Sequence, residues 1–182
     1  MSLSNDTSYL IGRWLHWLAA VIFILMVVGT DIWTDFAESS DQREVLDFWH
    51  VGFGVAFVVL LFFRIGWVVA YPERRTHFDS RWQALAARTN HWALYLLMVM
   101  VPLSGILGQL WEGGQLSLFG VGAIELSEQI LDIDEGILAD DMAYYSEEVH
   151  LFLKWPIYIL LSLHISGALS HWLMSKLKRK SV

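Results

Sequence analysis

The sequence predicts an all-α membrane protein: a four-helix transmembrane bundle running up-down-up-down, with both termini cytoplasmic. Three observations predict it. Hydrophobic residues make up 55% of the 182-residue chain and charged residues only 17%, outside the usual balance of soluble domains. The apolar residues gather into four runs, each long enough for the roughly 20 helical residues that cross a hydrocarbon core. Lys and Arg fall almost entirely on one side of those runs.

The first run spans residues 9–33, the second 45–71, the third 90–111 and the fourth 149–174. A helix satisfies its own backbone groups, which lipid cannot do, so the four runs read as a bundle. Residues 1–182 read as a single transmembrane domain, with residues 112–148 forming a long periplasmic loop. The N-terminus has no basic n-region and no small-residue cleavage site, so the first run is expected to be a retained span. Pro102 and Pro156 are expected to be kinks or helix-start features. In the loop, IELSEQILDIDEGILADDM has apolar residues at mixed helical spacing, which suggests one or two short surface helices.

With four spans, both termini share a side with the connection between the second and third runs. That side holds Arg13, Arg64, Arg74, Arg75, Arg81, Arg88, Lys176, Lys178, Arg179 and Lys180, and the other side only Arg43 and Lys154. The positive side is the cytoplasmic one. Of 19 acidic residues, Asp6, Glu73 and Asp79 lie inside and the other sixteen outside. Trp14, Trp17, Trp33, Trp49, Trp67, Trp92, Trp111, Trp155 and Trp172 fall near the expected span ends, as an interfacial belt requires. The chain has no cysteine. Disulfides, thiolate catalysis, iron–sulfur ligation and covalent c-type haem attachment are therefore excluded.

Six of the seven histidines lie in or beside the runs: His16, His50, His91, His150, His164 and His171; His77 falls in the basic connection. A polar ring in hydrocarbon is costly unless something binds it. His150 and His164 are fourteen residues apart. On a helix that is about 21 Å of rise, with the two residues within roughly 40° of one face. His150 can then meet His50 near the outer surface, and His164 can meet His16 near the inner one. Two neutral imidazoles facing across a bundle suit the axial positions of a haem iron. Small residues beside them, Gly52 and Gly54 near His50 and Ser166, Gly167 and Ala168 near His164, leave room for a flat macrocycle. Zinc fits worse, because three or four ligands must converge on one ion and the two depths keep these apart. A proton relay needs carboxylates at depth, and the middles of the runs have none. Satisfied core histidines remain the plain alternative.

The segments GRWLHWL, WHVGFG, HWALYLLMVMVPLSG and VHLFLKW…LHISGALSHW resemble the bacterial cytochrome b561 family across all four runs. The resemblance implies a multi-pass cytochrome of the bacterial inner membrane carrying two haem b groups, with electron exchange with quinone. It makes His16, His50, His150 and His164 the axial ligands, paired His16/His164 and His50/His150. His91 matches a third-helix histidine of the family; His91 and the basic inner connection are the candidates for a quinone contact. Arg13, one turn from His16, is expected either to meet a haem propionate or to serve only as a topology anchor.

Members of that family divide between superoxide oxidases that reduce ubiquinone and membrane subunits of periplasmic dehydrogenases or hydrogenases. Superoxide is an anion and is steered by positive potential. An outer face with sixteen acids against two bases favours a basic periplasmic electron-transfer protein instead. Other readings are a haem-free membrane anchor and a homodimer pairing through Gly105 and Gly108.

Overall fold

The computed structural model describes residues 5–37, 39–71, 80–112, 114–125 and 137–180. They form α1 (Asn5–Phe36), α2 (Ser40–Ala70), α3 (Arg81–Trp111), a hairpin of β1 (Gln115–Leu118) and β2 (Val121–Glu125), and α4 (Ile137–Lys180). Segments Asp6–Val27, Ser40–Ala70, Arg81–Trp111 and Asp140–Leu177 are long and apolar enough to cross a membrane. His77 lies outside the described residues.

Every helix is longer than its apolar run. The apolar residues mark only the part that needs lipid, while polar ends with good helix formers carry the helix on. RWQALAARTN supplies the early turns of α3, and its Ala, Arg and Gln favour helix without burial. Serines set two starts. Ser39 accepts from the Gln42 N–H while the Gln42 side chain accepts from the Ser39 N–H, a capping box. Ser80 accepts from the Gln83 N–H. Pro102 and Pro156 are both inside helices, where each removes the N–H that would bond the carbonyl four residues earlier.

The loop begins with the β1–β2 hairpin, which sequence reading did not foresee. Of the following segment, where short helices are expected, Ile137–Met142 belongs to α4; residues 126–136 lie outside the described residues. Phe119 and Gly120 turn the hairpin with φ of 52° and 79°, the left-handed pair that a two-residue turn needs. The strands pair Gln115 with Glu125, Leu116 with Ile124 and Leu118 with Val121. That leaves one extra residue on β2, near Gly122 at φ 67°, where glycine suits a bulge.

The end where α1 and α3 begin and α2 and α4 finish carries Arg13, Arg64, Arg81, Arg88 and Lys176; it is the basic end. Asp41, Asp47, Glu147 and Glu148 mark the acidic end. Packing is uneven. α1 lies along α2 and α3 along α4, whereas contact between α2 and α3 is sparse. The molecule is thus two tight helix pairs with a looser seam between them.

The core is a plug at mid-depth: Ala19, Phe23, Met26, Phe57, Leu61, Val101 and Ile157, with Met98 packed against it. Phe57 is fully buried and Phe23 packs on it at 5.4 Å between ring centres. The outward surface is apolar too; Phe62 is 74% exposed, as suits a helix face in lipid. Phe57→Ala should therefore cost about 3–5 kcal/mol through the cavity it leaves, and Phe62→Ala within about 0.5 kcal/mol. Thermal unfolding in detergent checks this, and equal losses would contradict a packed centre.

Candidate functional site

Two polar layers flank the plug, and heptad arithmetic places them. In α4, Ala143, His150, Ile157, His164 and His171 follow at steps of seven, nearly one face of a helix. In α2 the same steps give His50, Phe57 and Arg64; in α3 they give His91, Met98 and Gly105; in α1, His16 and Phe23. Phe23, Phe57, Met98 and Ile157 form the middle layer. The positions seven residues to either side form the flanking layers: His50, Gly105 and His150 toward the acidic end, and His16, Arg64, His91 and His164 toward the basic end.

At the acidic end, the rings of His50 and His150 stand 5.9 Å apart, centre to centre, at 84° between planes. At the basic end, His16 and His164 stand 6.1 Å apart at 65°. Both pairs bridge the seam, each joining a helix of one tight pair to α4 of the other. A ring nitrogen lies about 1.1 Å from its ring centre and about 2 Å from a metal it ligates. Two rings clasping one ion from opposite sides thus stand about 6 Å apart, the spacing of both pairs.

His150 is held in a defined tautomer. Its Nδ1–H donates to the Val101 carbonyl at 2.9 Å, with the Ser104 Oγ at 3.1 Å from the same nitrogen. Ser104 is buried and donates to the same carbonyl at 2.7 Å. A carbonyl only accepts, so Nδ1 carries the proton and Nε2 presents its lone pair. Gly105 makes room for this ring: a Cβ there would lie 3.0 Å from Cε1 of His150.

Gly52 and Gly108 serve packing within the molecule. The space above Gly52, expected to face a macrocycle, is filled by Phe119 of the hairpin; a Cβ at Gly52 would lie 2.5 Å from that ring. Phe119 also packs on Trp49 and Phe53, so the hairpin seals the flank of His50. Among the described residues, Gly54 has only Met26 within ordinary contact and Gly167 has none; Ser166 and Ala168 are exposed. Gly108 is buried with Ser146 of α4 nearby. Gly105 and Gly108 therefore face α4 and do not form an outward pairing surface.

The basic-end layer holds more than the expected pair. The exposed ring of His91 stands 5.1 Å from that of His164, closer than the clasp spacing. Asn90 buries Oδ1 without a partner among the described residues, which costs about 1–3 kcal/mol unless a ligand satisfies it. Arg13 is exposed and places its guanidinium 5.5 Å from the centre of the Tyr9 ring. The arginine fastened to the turn before His16 is Arg64 of α2, whose Nη1 donates to the Gly12 carbonyl and which sequence reasoning counted only toward topology. Its signal was in the chain: Arg64 follows His50 by the same fourteen residues that separate His150 from His164.

The comparisons agree with this architecture. Residues 10–180 match the profile of the family described as prokaryotic cytochrome b561. Cytochrome b561 homolog 2 of Escherichia coli (strain K12) is 27% identical over 168 residues, covering 88% of this chain and 82% of that protein. Probable superoxide oxidase CybB of Yersinia pestis is 28% identical over 158 residues, covering 86% and 84%. No solved structure gives a significant match. With a family match over nearly its whole length and four helices fit to cross a membrane, the chain belongs to the prokaryotic cytochrome b561 family and is a haem b-binding, multi-pass protein of the bacterial inner membrane.

Proposed function

We propose that the chain is a di-haem b cytochrome moving electrons between a periplasmic donor or acceptor at its acidic end and the membrane quinone pool. The observation that carries this reading is the double histidine clasp: two imidazole pairs at 5.9 and 6.1 Å, bridging one seam at two depths. His16 and His164 hold one haem, and His50 and His150 the other. Bound haem b supplies one-electron ferric–ferrous chemistry. With a histidine pair committed to each haem, the residues would favour outer-sphere electron transfer over small-molecule activation at the metal. Val101 and Ser104 fix the His150 tautomer, so that Nε2 keeps its lone pair for the iron. His91, too close to His164 for an opposed pair, stands beside the basic-end site as a candidate hydrogen-bonding residue for a quinone.

The partner at the acidic end follows from charge. Asp41, Asp47, Glu147 and Glu148 crowd that end, and their field attracts a basic protein and repels an anion. The name of the Yersinia pestis relative favours superoxide instead. The two readings differ in a direct measurement. Oxidised protein mixed with a superoxide source should be reduced slowly, and faster as salt screens the acids; a basic redox protein should react fast at low salt and slow as salt rises. Rapid reduction by superoxide at low and high salt alike would overturn the electrostatic preference.

Haem counts with absorption spectra test the ligands. His16→Ala and His164→Ala should lose the same haem, and His50→Ala and His150→Ala the other, while His91→Ala keeps both. Full retention in the four ligand variants would remove the electron-transfer reading. Gly105→Ala should perturb only the haem lost in His150→Ala, because its methyl group would crowd that ring. An unchanged spectrum there would mean that the ring has space to move.

A further inference from the structure

Arg64 sits in the second turn from the end of α2, inside a candidate span. A cation near a span end is explained by topology alone, so what it touches decides whether it does more. Among the described residues it has no carboxylate partner. Its one hydrogen bond runs from Nη1 to the Gly12 carbonyl at 2.8 Å. Gly12 is buried one helical turn before His16, so Arg64 is fastened to the turn that carries that ring. Trp67, one turn further along α2, makes the matching bond, from Nε1 to the Ser8 carbonyl at 3.1 Å. Trp67 is enough to tie the two helices together at this level; a strut does not require a charge.

The heptad stripe gives Arg64 its meaning. α2 contributes His50 to the acidic-end layer and, fourteen residues on, Arg64 to the basic-end layer, where α1 supplies the imidazole instead. A guanidinium keeps further donors after one bond to a carbonyl, in a fork shaped for a carboxylate. A haem b carries two propionate carboxylates. Arg13, the other arginine near His16 in sequence, is turned out over Tyr9.

We propose that Arg64 is the counter-charge of the basic-end haem: it binds a propionate of that haem and raises its reduction potential relative to a neutral residue at the same place. This rests on the di-haem reading above. A fixed positive charge favours the reduced iron, which carries one positive charge less, so its removal must shift the potential downward.

The test is a spectroscopically monitored redox titration of wild type, Arg64→Gln and Arg64→Lys, with haem counts. The acidic-end haem is assigned by its absence in His50→Ala and serves as the internal control of folding. Wild type should hold both haems; if it holds no haem in the basic-end layer, the di-haem reading itself fails. Given both haems, R64Q should lower the potential of the basic-end haem or lose that haem alone, and R64K should keep it close to wild type. The proposal is overturned if R64Q leaves both haems unchanged, shifts both alike or loses both, or if R64K departs from wild type as far as R64Q does.

Discussion

An imidazole surrounded by hydrocarbon must be given a partner, and the rest of this molecule is arranged around that demand. His16, His50, His150 and His164 do not sit at arbitrary heights. They occur at multiples of seven residues from a central apolar layer, so each helix brings its polar group to one of two levels while keeping Phe23, Phe57, Met98 or Ile157 between them. A step of seven nearly restores the face of a helix, with a drift of about 20°. Polarity is thereby confined to two slabs and excluded from the middle, where no water can satisfy it.

The uneven packing of the helices serves the same end. Lipid offers no hydrophobic drive for helix association, so close packing must come from shape. α1 with α2, and α3 with α4, achieve it along their lengths; the seam between the pairs does not. Both histidine pairs lie across that seam, the least tightly packed surface of the bundle. The hairpin closes one flank. Phe119 accepts a left-handed backbone, unfavourable for a bulky residue, and its ring settles over Gly52 between Trp49 and Phe53.

Much of this was legible from residue order alone, because the membrane imposes a strong code. Apolar length marks the spans, and fourteen-residue spacing pairs the histidines by depth. Helix ends were less legible, since the polar turns that extend α3 and α4 carry no hydropathy signal. The hairpin was hidden because Phe119–Gly120 is an unusual turn pair and the acidic segment after it has mixed helical spacing. Arg64 was overlooked for a different reason. A basic residue near a span end already has a sufficient explanation in topology, and only its register with His50 shows that it shares a layer with His16.

The central plug has an electrical meaning. Phe57 and Ile157 are almost wholly buried, and among the described residues Phe23, Phe57, Met98 and Ile157 of the middle layer carry no group that exchanges a proton. On the di-haem reading, an electron passing between the two polar layers would cross about 21 Å of a hydrocarbon core about 30 Å thick. A full crossing couples to voltage at about 2.3 kcal/mol per elementary charge per 100 mV; by the ratio of those lengths this step couples at about 1.6 kcal/mol. On the di-haem reading, traffic between the layers would be electrogenic, sped or slowed by the energised state of the membrane that holds the protein.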